Sequence, residues 1–378
     1  MSAVLICADS FRSGDMRHSV PVAVPDRFLY VEQNGTRTAV VTAFEIPRIV
    51  AADAAIETIA PEALGLDELL AAGTPAAAAA LEIYVRACER LGVSSAVVPA
   101  DFPVELADRL RARGVAVEVD RELFESRRRS KDAREVAGLR RAQRACEAAL
   151  DVGRAMLRAA DPGGPVLVLD GEPLTCERIK VEIERVFSQH GVAGEEFIVS
   201  HGSQTAVAHE LGSGAIEPGE PVVFDLFPRD RETGIYSDMT RTYVVGEAPE
   251  EIRRYHELCL EALSLSAAAV KPGVNGRDLM RLVCDFFAGH GFPTPLTKRP
   301  GEVLDSGFFH GLGHGVGLDV HEKPALSRSG DDLVSGDVIT LEPGLYRAGF
   351  GGVRLEDVLL VTDDGAETVA RYPYGLEA

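Results

Sequence analysis

Positive charge is scarce in this chain: 39 lysines and arginines stand against 59 aspartates and glutamates, a formal net charge of −20. A nucleic-acid backbone or an anionic membrane would be repelled at long range, so neither is an expected partner. Cysteine is sparse too. The six, Cys7, Cys88, Cys146, Cys176, Cys259 and Cys284, are scattered without a Cys-x-x-Cys pair. That argues against a disulfide framework and for reduced thiols in a cytoplasmic protein. Long apolar runs are missing: nothing approaches the ~20 residues of a membrane span. The short run Ala3-Val4-Leu5-Ile6-Cys7 has neither the basic flank nor the small-residue cleavage site of a secretion signal. A soluble, unsecreted protein is expected.

What the chain does have is enough apolar content, 46% of 378 residues, to build two domains. Residues 2–7, 27–33 and 36–42 read as strands, and Asn34-Gly35 is a hairpin signal. Helical spacing over 75–90 and 104–113, with strands at 95–99 and 115–119, completes a small α/β domain without a clustered site. The charged run Arg127-Arg128-Arg129-Ser130-Lys131-Asp132 reads as a solvated connection, dividing the chain into domains 1–130 and 131–378. Beyond it Val136, Leu139, Ala142, Cys146, Ala149, Leu150, Gly153 and Leu157 predict a long amphipathic helix. A second helix is expected over 172–189, and short strands and turns from 197 onward.

The chemistry gathers in that last region. Residues 310–322 hold His310, His314 and His321, with Gly311, Gly313, Gly315 and Gly317 alternating between them. Each glycine inside a helix costs roughly 1 kcal/mol against alanine, so this stretch is extended or looped. No register of it fits a Gly-x-Gly-x-x-Gly dinucleotide loop. Flanking it, Gly219-Glu220-Pro221-Val222-Val223-Phe224-Asp225 and Gly336-Asp337-Val338-Ile339-Thr340-Leu341-Glu342 share one pattern: turn glycine, acid, apolar strand, carboxylate. Each is followed by a strand with a further carboxylate, Asp238 and Glu356, which suggests an internal repeat. Strand alternation sets Asp225 opposite Val222, Phe224 and Leu226, beside Val223 and Phe227. The same parity groups Tyr236 with Asp238, Thr240 and Thr242, and Gly352 with Arg354 and Glu356.

A carboxylate among apolar strands must be protonated, paired or metal-bound. Ion pairs to Arg241 and Arg354 are one solution. For four such acids, two divalent cations balance the charge better, and a neutral imidazole adds a ligand without adding charge. Oxygen donors with one nitrogen suit manganese, cobalt, iron or zinc. Two metals about 3.5–4 Å apart activate a bridging water and polarise a carbonyl, which is hydrolytic chemistry.

At these residues the sequence resembles the pita-bread metallopeptidases: methionine aminopeptidase, aminopeptidase P and prolidase, with creatinase as a metal-free relative. The resemblance is carried by 223–225, Ser237-Asp238-Met239-Thr240-Arg241-Thr242, 310–322, Thr340-Leu341-Glu342-Pro343-Gly344-Leu345-Tyr346 and Gly352-Val353-Arg354-Leu355-Glu356-Asp357. It implies an α/β N-terminal domain like that of creatinase and prolidase, then a pita-bread domain with a pseudo-twofold repeat. It implies Asp225, Asp238, His314, Glu342 and Glu356 as ligands of two divalent metals, manganese first, with cobalt, zinc or iron as alternatives. His209 and His321 would act on the scissile carbonyl and the tetrahedral intermediate, and Glu342 would also shuttle protons. His310 and Arg354 would face the substrate, and the alternating glycines would let the backbone approach the metals and the peptide.

The family also implies a homodimer acting on a peptide. Because a separate N-terminal domain accompanies aminopeptidase P and prolidase, the expected reaction is hydrolysis of the Xaa-Pro bond by a metal-bound hydroxide. The substrate would be a dipeptide or the N-terminus of a peptide. Family members have glycine two residues after the first aspartate; Phe227 and the polar insertion 228–233 stand there instead. That departure keeps open a non-peptidase C–N hydrolase acting on a small amide or cyclic amidine. A non-catalytic binding module is the remaining alternative.

Overall fold

The computed structural model describes residues 2–378, which divide into two compact units, one ending at Arg128 and the other running from Arg129 to Ala378. In the first, β1 (Ala3–Ala8), β2 (Phe28–Gln33) and β3 (Thr36–Val40) are antiparallel neighbours. Asn34 and Gly35 join β2 to β3 with φ of 52° and 83°, the positive values a two-residue hairpin turn demands. β4 (Ile56–Ile59), β5 (Ser95–Val98) and β6 (Ala116–Val119) add parallel edges, giving the order β4-β3-β2-β1-β5-β6. Alternation sends Ala3, Leu5 and Cys7 into one apolar cluster with Ile83, Val85 and Leu106. Val4 and Ile6 join another, with Met16, Phe28 and Ile49. The sheet is therefore buried on both faces.

The second unit opens on α1 (Ala133–Ala159), started by a capping box between Asp132 and Glu135. Its apolar stripe, with α2 (Cys176–Gln189), packs on the antiparallel sheet of β7 (Ile198–His201), β8 (Pro221–Leu226) and β9 (Met239–Val244). α2 starts later than residue 172 because Glu172-Pro173 pairs with Val168-Leu169 and Thr175 accepts a bond from the Arg178 backbone N–H as N-cap.

The expectation of only strands and turns beyond 197 fails: α3 (Glu250–Ala269) and α4 (Gly276–Gly289) lie there. They share a core with a second antiparallel sheet, built from β10 (Gly313–Gly315), β11 (Glu322–Leu326), β12 (Val338–Leu341), β15 (Asp357–Val361) and β16 (Ala366–Thr368) in the order β11-β10-β12-β15-β16. Between β12 and β15 the chain makes a separate hairpin, β13 (Gly344–Arg347) and β14 (Gly351–Arg354). Two helices on an antiparallel sheet, twice over, is the pseudo-twofold pita-bread arrangement. No described helix is long and apolar enough to cross a membrane, and all six cysteines are buried and free.

Two local expectations are corrected. The charged run at 127–132 is not uniformly solvated: Ser130 and Asp132 are exposed, but Arg128 is 8% exposed, and the side chains of Arg129 and Lys131 are 14% and 2% exposed. The charges are paired, Arg129 with Asp337 at 2.6 Å and Lys131 with Glu322 at 2.5 Å, which makes burial tolerable. Phe227 does not share the face of Asp225; β8 ends at Leu226, and Phe227 turns onto the core of the first sheet. The insertion after it is anchored, with Arg229-Asp230 pairing against Val192-Ala193 and the Asp230 carboxylate taking both Arg141 and Thr233.

Candidate metal centre

Each hairpin delivers its acids by a different piece of backbone. Asp225 sits on β8 opposite Thr240, on the face away from Val222, Phe224 and Leu226, which enter the core. Asp238 precedes β9 by one residue, and Glu342 follows the last residue of β12. Glu356 lies between β14 and β15, where its backbone N–H donates to the Thr240 carbonyl at 3.1 Å and ties the two halves together. His314 stands on β10, held by its backbone N–H to the Thr340 hydroxyl at 3.1 Å.

Donor atoms of Asp238, His314 and Glu356 all lie within 4.8 Å of one another. Asp238 is 4% exposed, and its Oδ1 has no hydrogen-bond partner among the described residues. A buried anionic oxygen without a donor calls for a cation. The His314 Nδ1–H donates to the Gly315 carbonyl at 3.1 Å, leaving Nε2 as a lone pair 3.8 Å from Asp238 Oδ2 and 3.6 Å from Glu342 Oε1. That bond fixes tautomer and ring orientation, as expected of a metal-ligating histidine. The structure thus brings three of the five expected ligands into one cluster and Glu342 beside it. Asp225 is near enough to act on Asp238 and Glu356 electrostatically, its Oδ2 receiving an Arg354 N–H at 2.6 Å.

Electrostatics agree with this geometry. Burial pushes the carboxyls of Asp238 and Glu356 upward, reinforced by the neighbouring acids. Burial pushes Glu342 up to about 8, with Arg354 pulling the other way. Burial drives the imidazoles of His314 and His310 down to about 3, so both are neutral near pH 7. The residues fit divalent cations in donor type, charge and tautomer.

The remaining expected residues surround this cluster. The rings of His321 and His314 are 4.1 Å apart. His209 is exposed, in the turn after the short helix Gly202–Ala206, near enough that its charge would depress both His310 and His321. His310 lines a cavity of about 570 Å³, but both of its ring nitrogens are occupied. Nδ1–H donates to the Gly311 carbonyl at 2.7 Å, and Nε2 accepts from the Tyr346 hydroxyl at 2.9 Å. Toward the cavity it presents ring rather than a free nitrogen. Arg354, 4% exposed, reaches Asp225, Tyr346 and Thr240, and so orients a carboxylate.

Two of the alternating glycines have a reason within the sheet. A Cβ on Gly313 would stand 2.1 Å from the Thr340 carbonyl oxygen, and one on Gly315 2.1 Å from that of Lys323. These two glycines let β10 lie between its neighbours, while Gly311 lines the cavity.

Sequence reasoning missed four participants. Thr240 donates to Glu356 Oε2 at 2.7 Å, and Tyr346 bridges His310 and Arg354. Both stand inside matched motifs, and Thr240 shares the parity of Asp238, which was a usable signal. Asp357, the buried partner of Arg241 at 2.8 Å, was legible as the acid next to Glu356. Arg328, on the cavity wall, has no sequence signal.

Two repeated halves with a nitrogen-and-carboxylate cluster between them place the chain among the pita-bread metallopeptidases. More particularly, it belongs to metallopeptidase family M24, whose model matches residues 137–363. Over 197 residues it is 34% identical to a Xaa-Pro dipeptidase of Pyrococcus furiosus, covering 51% of this chain and 53% of that protein. An uncharacterized peptidase of Bacillus subtilis is also 34% identical, over 196 residues, 51% of this chain and 52% of that protein. The chain thus spans about half the length of these curated relatives. Its whole fold matches the prolidase of Pyrococcus horikoshii, with a TM-score of 0.79, 23% identity and coverage of 100% of this chain and 95% of that one. The Xaa-Pro dipeptidase of Bacillus anthracis gives 0.80, 22%, 100% and 94%.

Proposed function

We propose that this chain is a dinuclear metal-dependent peptidase that hydrolyses the Xaa-Pro bond, with Xaa-Pro dipeptides as its substrates. The observation that carries the reading is the buried Asp238, His314 and Glu356 cluster with its unpartnered Asp238 oxygen. Asp225 and Glu342 complete the ligand set. Divalent cations held there, manganese first, supply an activated water and a polarised carbonyl.

The chain's own residues do the rest. Glu342, beside the cluster, would take up a proton and carry it toward the leaving proline nitrogen. His321 and His209 flank the scissile carbonyl and donate to its oxygen as negative charge develops there. Phe309 and the ring of His310 offer an apolar wall to a pyrrolidine. Arg328 lines the same cavity, exposed and without an ion-pair partner among the described residues, together with Ser327 and Ser329. A guanidinium there matches a free carboxylate, which a dipeptide presents next to its proline ring and a longer peptide does not. The Xaa-Pro dipeptidase relative supports the same choice.

The test is release of Xaa by Mn²⁺-, Co²⁺- and Zn²⁺-loaded protein from matched Xaa-Pro and Xaa-Pro-Yaa substrates, with a chelator control. Hydrolysis of Xaa-Pro alone is expected. Arg328→Met should raise KM for the dipeptide by about 10- to 100-fold, the loss of one charged hydrogen-bonded pair. No release from any Xaa-Pro substrate would sink the reading. Equal rates on both substrates would remove the dipeptide preference and leave the peptidase.

A further inference from the structure

Residues 129–132 form a clasp. The Lys131 backbone N–H donates to the Gly336 carbonyl at 3.1 Å, and Ser130 Oγ donates to the Ser335 carbonyl at 3.0 Å. Asp132 caps α1. Lys131 Nζ then reaches Glu322 Oε1 at 2.5 Å, each side chain only 2% exposed. Stripping both charges of water costs several kcal/mol per ion, and an apolar pair of equal volume would stabilise the fold as well or better. A buried ion pair whose Lys131 Nζ also donates to the Arg129 carbonyl at 3.3 Å does hold one geometry.

Its location says whose geometry that is. Glu322 follows His321 in sequence and stands opposite Gly315, the neighbour of His314, in strand register. A Cβ on Gly317 would fall 2.3 Å from Glu322 Oε1, so the loop joining the two histidines rests directly on this carboxylate. His314 has its own supports, through the Gly315 carbonyl and the Thr340 hydroxyl. No comparable hydrogen bond to the His321 ring stands among the described contacts, and its ring neighbour is His314.

We propose that Lys131 is a positioning residue, which through its buried ion pair with Glu322 sets where His321 stands relative to the metal ligands. The inference rests on the reading of His321 as a group that acts on substrate. It turns the segment joining the two units into part of the active-site support, running from the cap of α1 to the imidazole.

The test compares the full chain with Lys131→Met and with the double variant Lys131→Met/Glu322→Met, which removes both charges and leaves neither stranded. Three readouts are needed. Thermal unfolding and bound-metal stoichiometry report the fold. The ring ¹H–¹⁵N signals of His321 in Zn²⁺-loaded protein, assigned by their loss in His321→Gln, report its placement. Steady-state kinetics on Xaa-Pro report the consequence. In the double variant, Tm and metal content are expected to stay at the wild-type level while the His321 signals move. The kcat should fall about 10- to 100-fold, the scale set by a displacement near 1 Å, with KM within about threefold. Unchanged His321 signals and kcat in a folded double variant overturn the proposal, as does a double variant that loses Tm and metal together with activity. Wild-type protein inactive on every Xaa-Pro peptide would instead remove the functional reading, and the ring signals would still decide whether Lys131 places His321.

Discussion

Thr240 supports Glu356 as the Gly315 carbonyl supports His314: one hydrogen bond fixes the donor before any cation arrives. Thr240→Val removes that bond while keeping the shape, and should weaken Mn²⁺ binding by about tenfold in titration calorimetry. Thr240→Ser should restore it. Unchanged affinity in the valine variant would mean that Glu356 is fixed by the backbone alone. The ligand carboxyls also give metal binding a pH dependence with a definite sign. Burial raises Asp238 and Glu356, and takes Glu342 to about 8. The folded values thus lie above the unfolded ones, near 4. Protonated Glu342 favours the metal-free fold, most fully below about pH 4, and that contribution is lost as pH rises through about 8, with the same sign at Asp238 and Glu356. Metal binding takes the ionised forms, so affinity should climb as pH rises across this range. Calorimetry from pH 6 to 9 showing flat affinity would contradict this. Acids in apolar strands announce themselves in a sequence because their burial needs a reason. Arg328 is one of many arginines until the fold sets it on the cavity wall.

Strand alternation was enough to orient β8, since Val222, Phe224 and Leu226 do enter the core and Asp225 faces the site. It failed just past the strand end, where Phe227 obeys the turn and not the pleat. α3 was less legible because its buried stripe includes His256, Cys259 and Ser266, which dilute the apolar period, and its N-cap Pro249 makes no side-chain capping bond. The glycines of the histidine stretch were visible, but the partner they accommodate was not. Packing against a neighbouring strand predicts an asymmetry among them. Gly315→Ala should cost about 1–3 kcal/mol in urea unfolding, because its Cβ would meet the Lys323 carbonyl oxygen at 2.1 Å. Gly311→Ala, whose nearest contact would be 3.5 Å, should be close to neutral. Equal costs at the two positions would return these glycines to a role in substrate approach.

At the scale of the molecule, the internal repeat is written in its turns. Gly219 and Gly336 both adopt left-handed φ, 85° and 89°, and each leads into a strand that delivers an acid, Asp225 on β8 and Glu342 just past the end of β12. The halves diverge where β13 and β14 interrupt the second hairpin, which no spacing argument foresaw. Every apolar cluster draws its residues from one unit: two from the first and three from the second. All the candidate ligands belong to the second. Separate cores predict two calorimetric unfolding transitions, and a ligand that binds one native core raises only its own. At free Mn²⁺ near 100 times its Kd, the stabilisation is about 2.7 kcal/mol. For a unit of this size that moves Tm by roughly 5–10 °C. Scanning calorimetry with Mn²⁺ and with chelator, each transition assigned by hydrogen exchange, should show the transition of residues 129–378 moving and the other standing still. A single transition that shifts as a whole would show instead that the two cores unfold as one cooperative body, and that metal held by Asp238, His314 and Glu356 stabilises the entire chain.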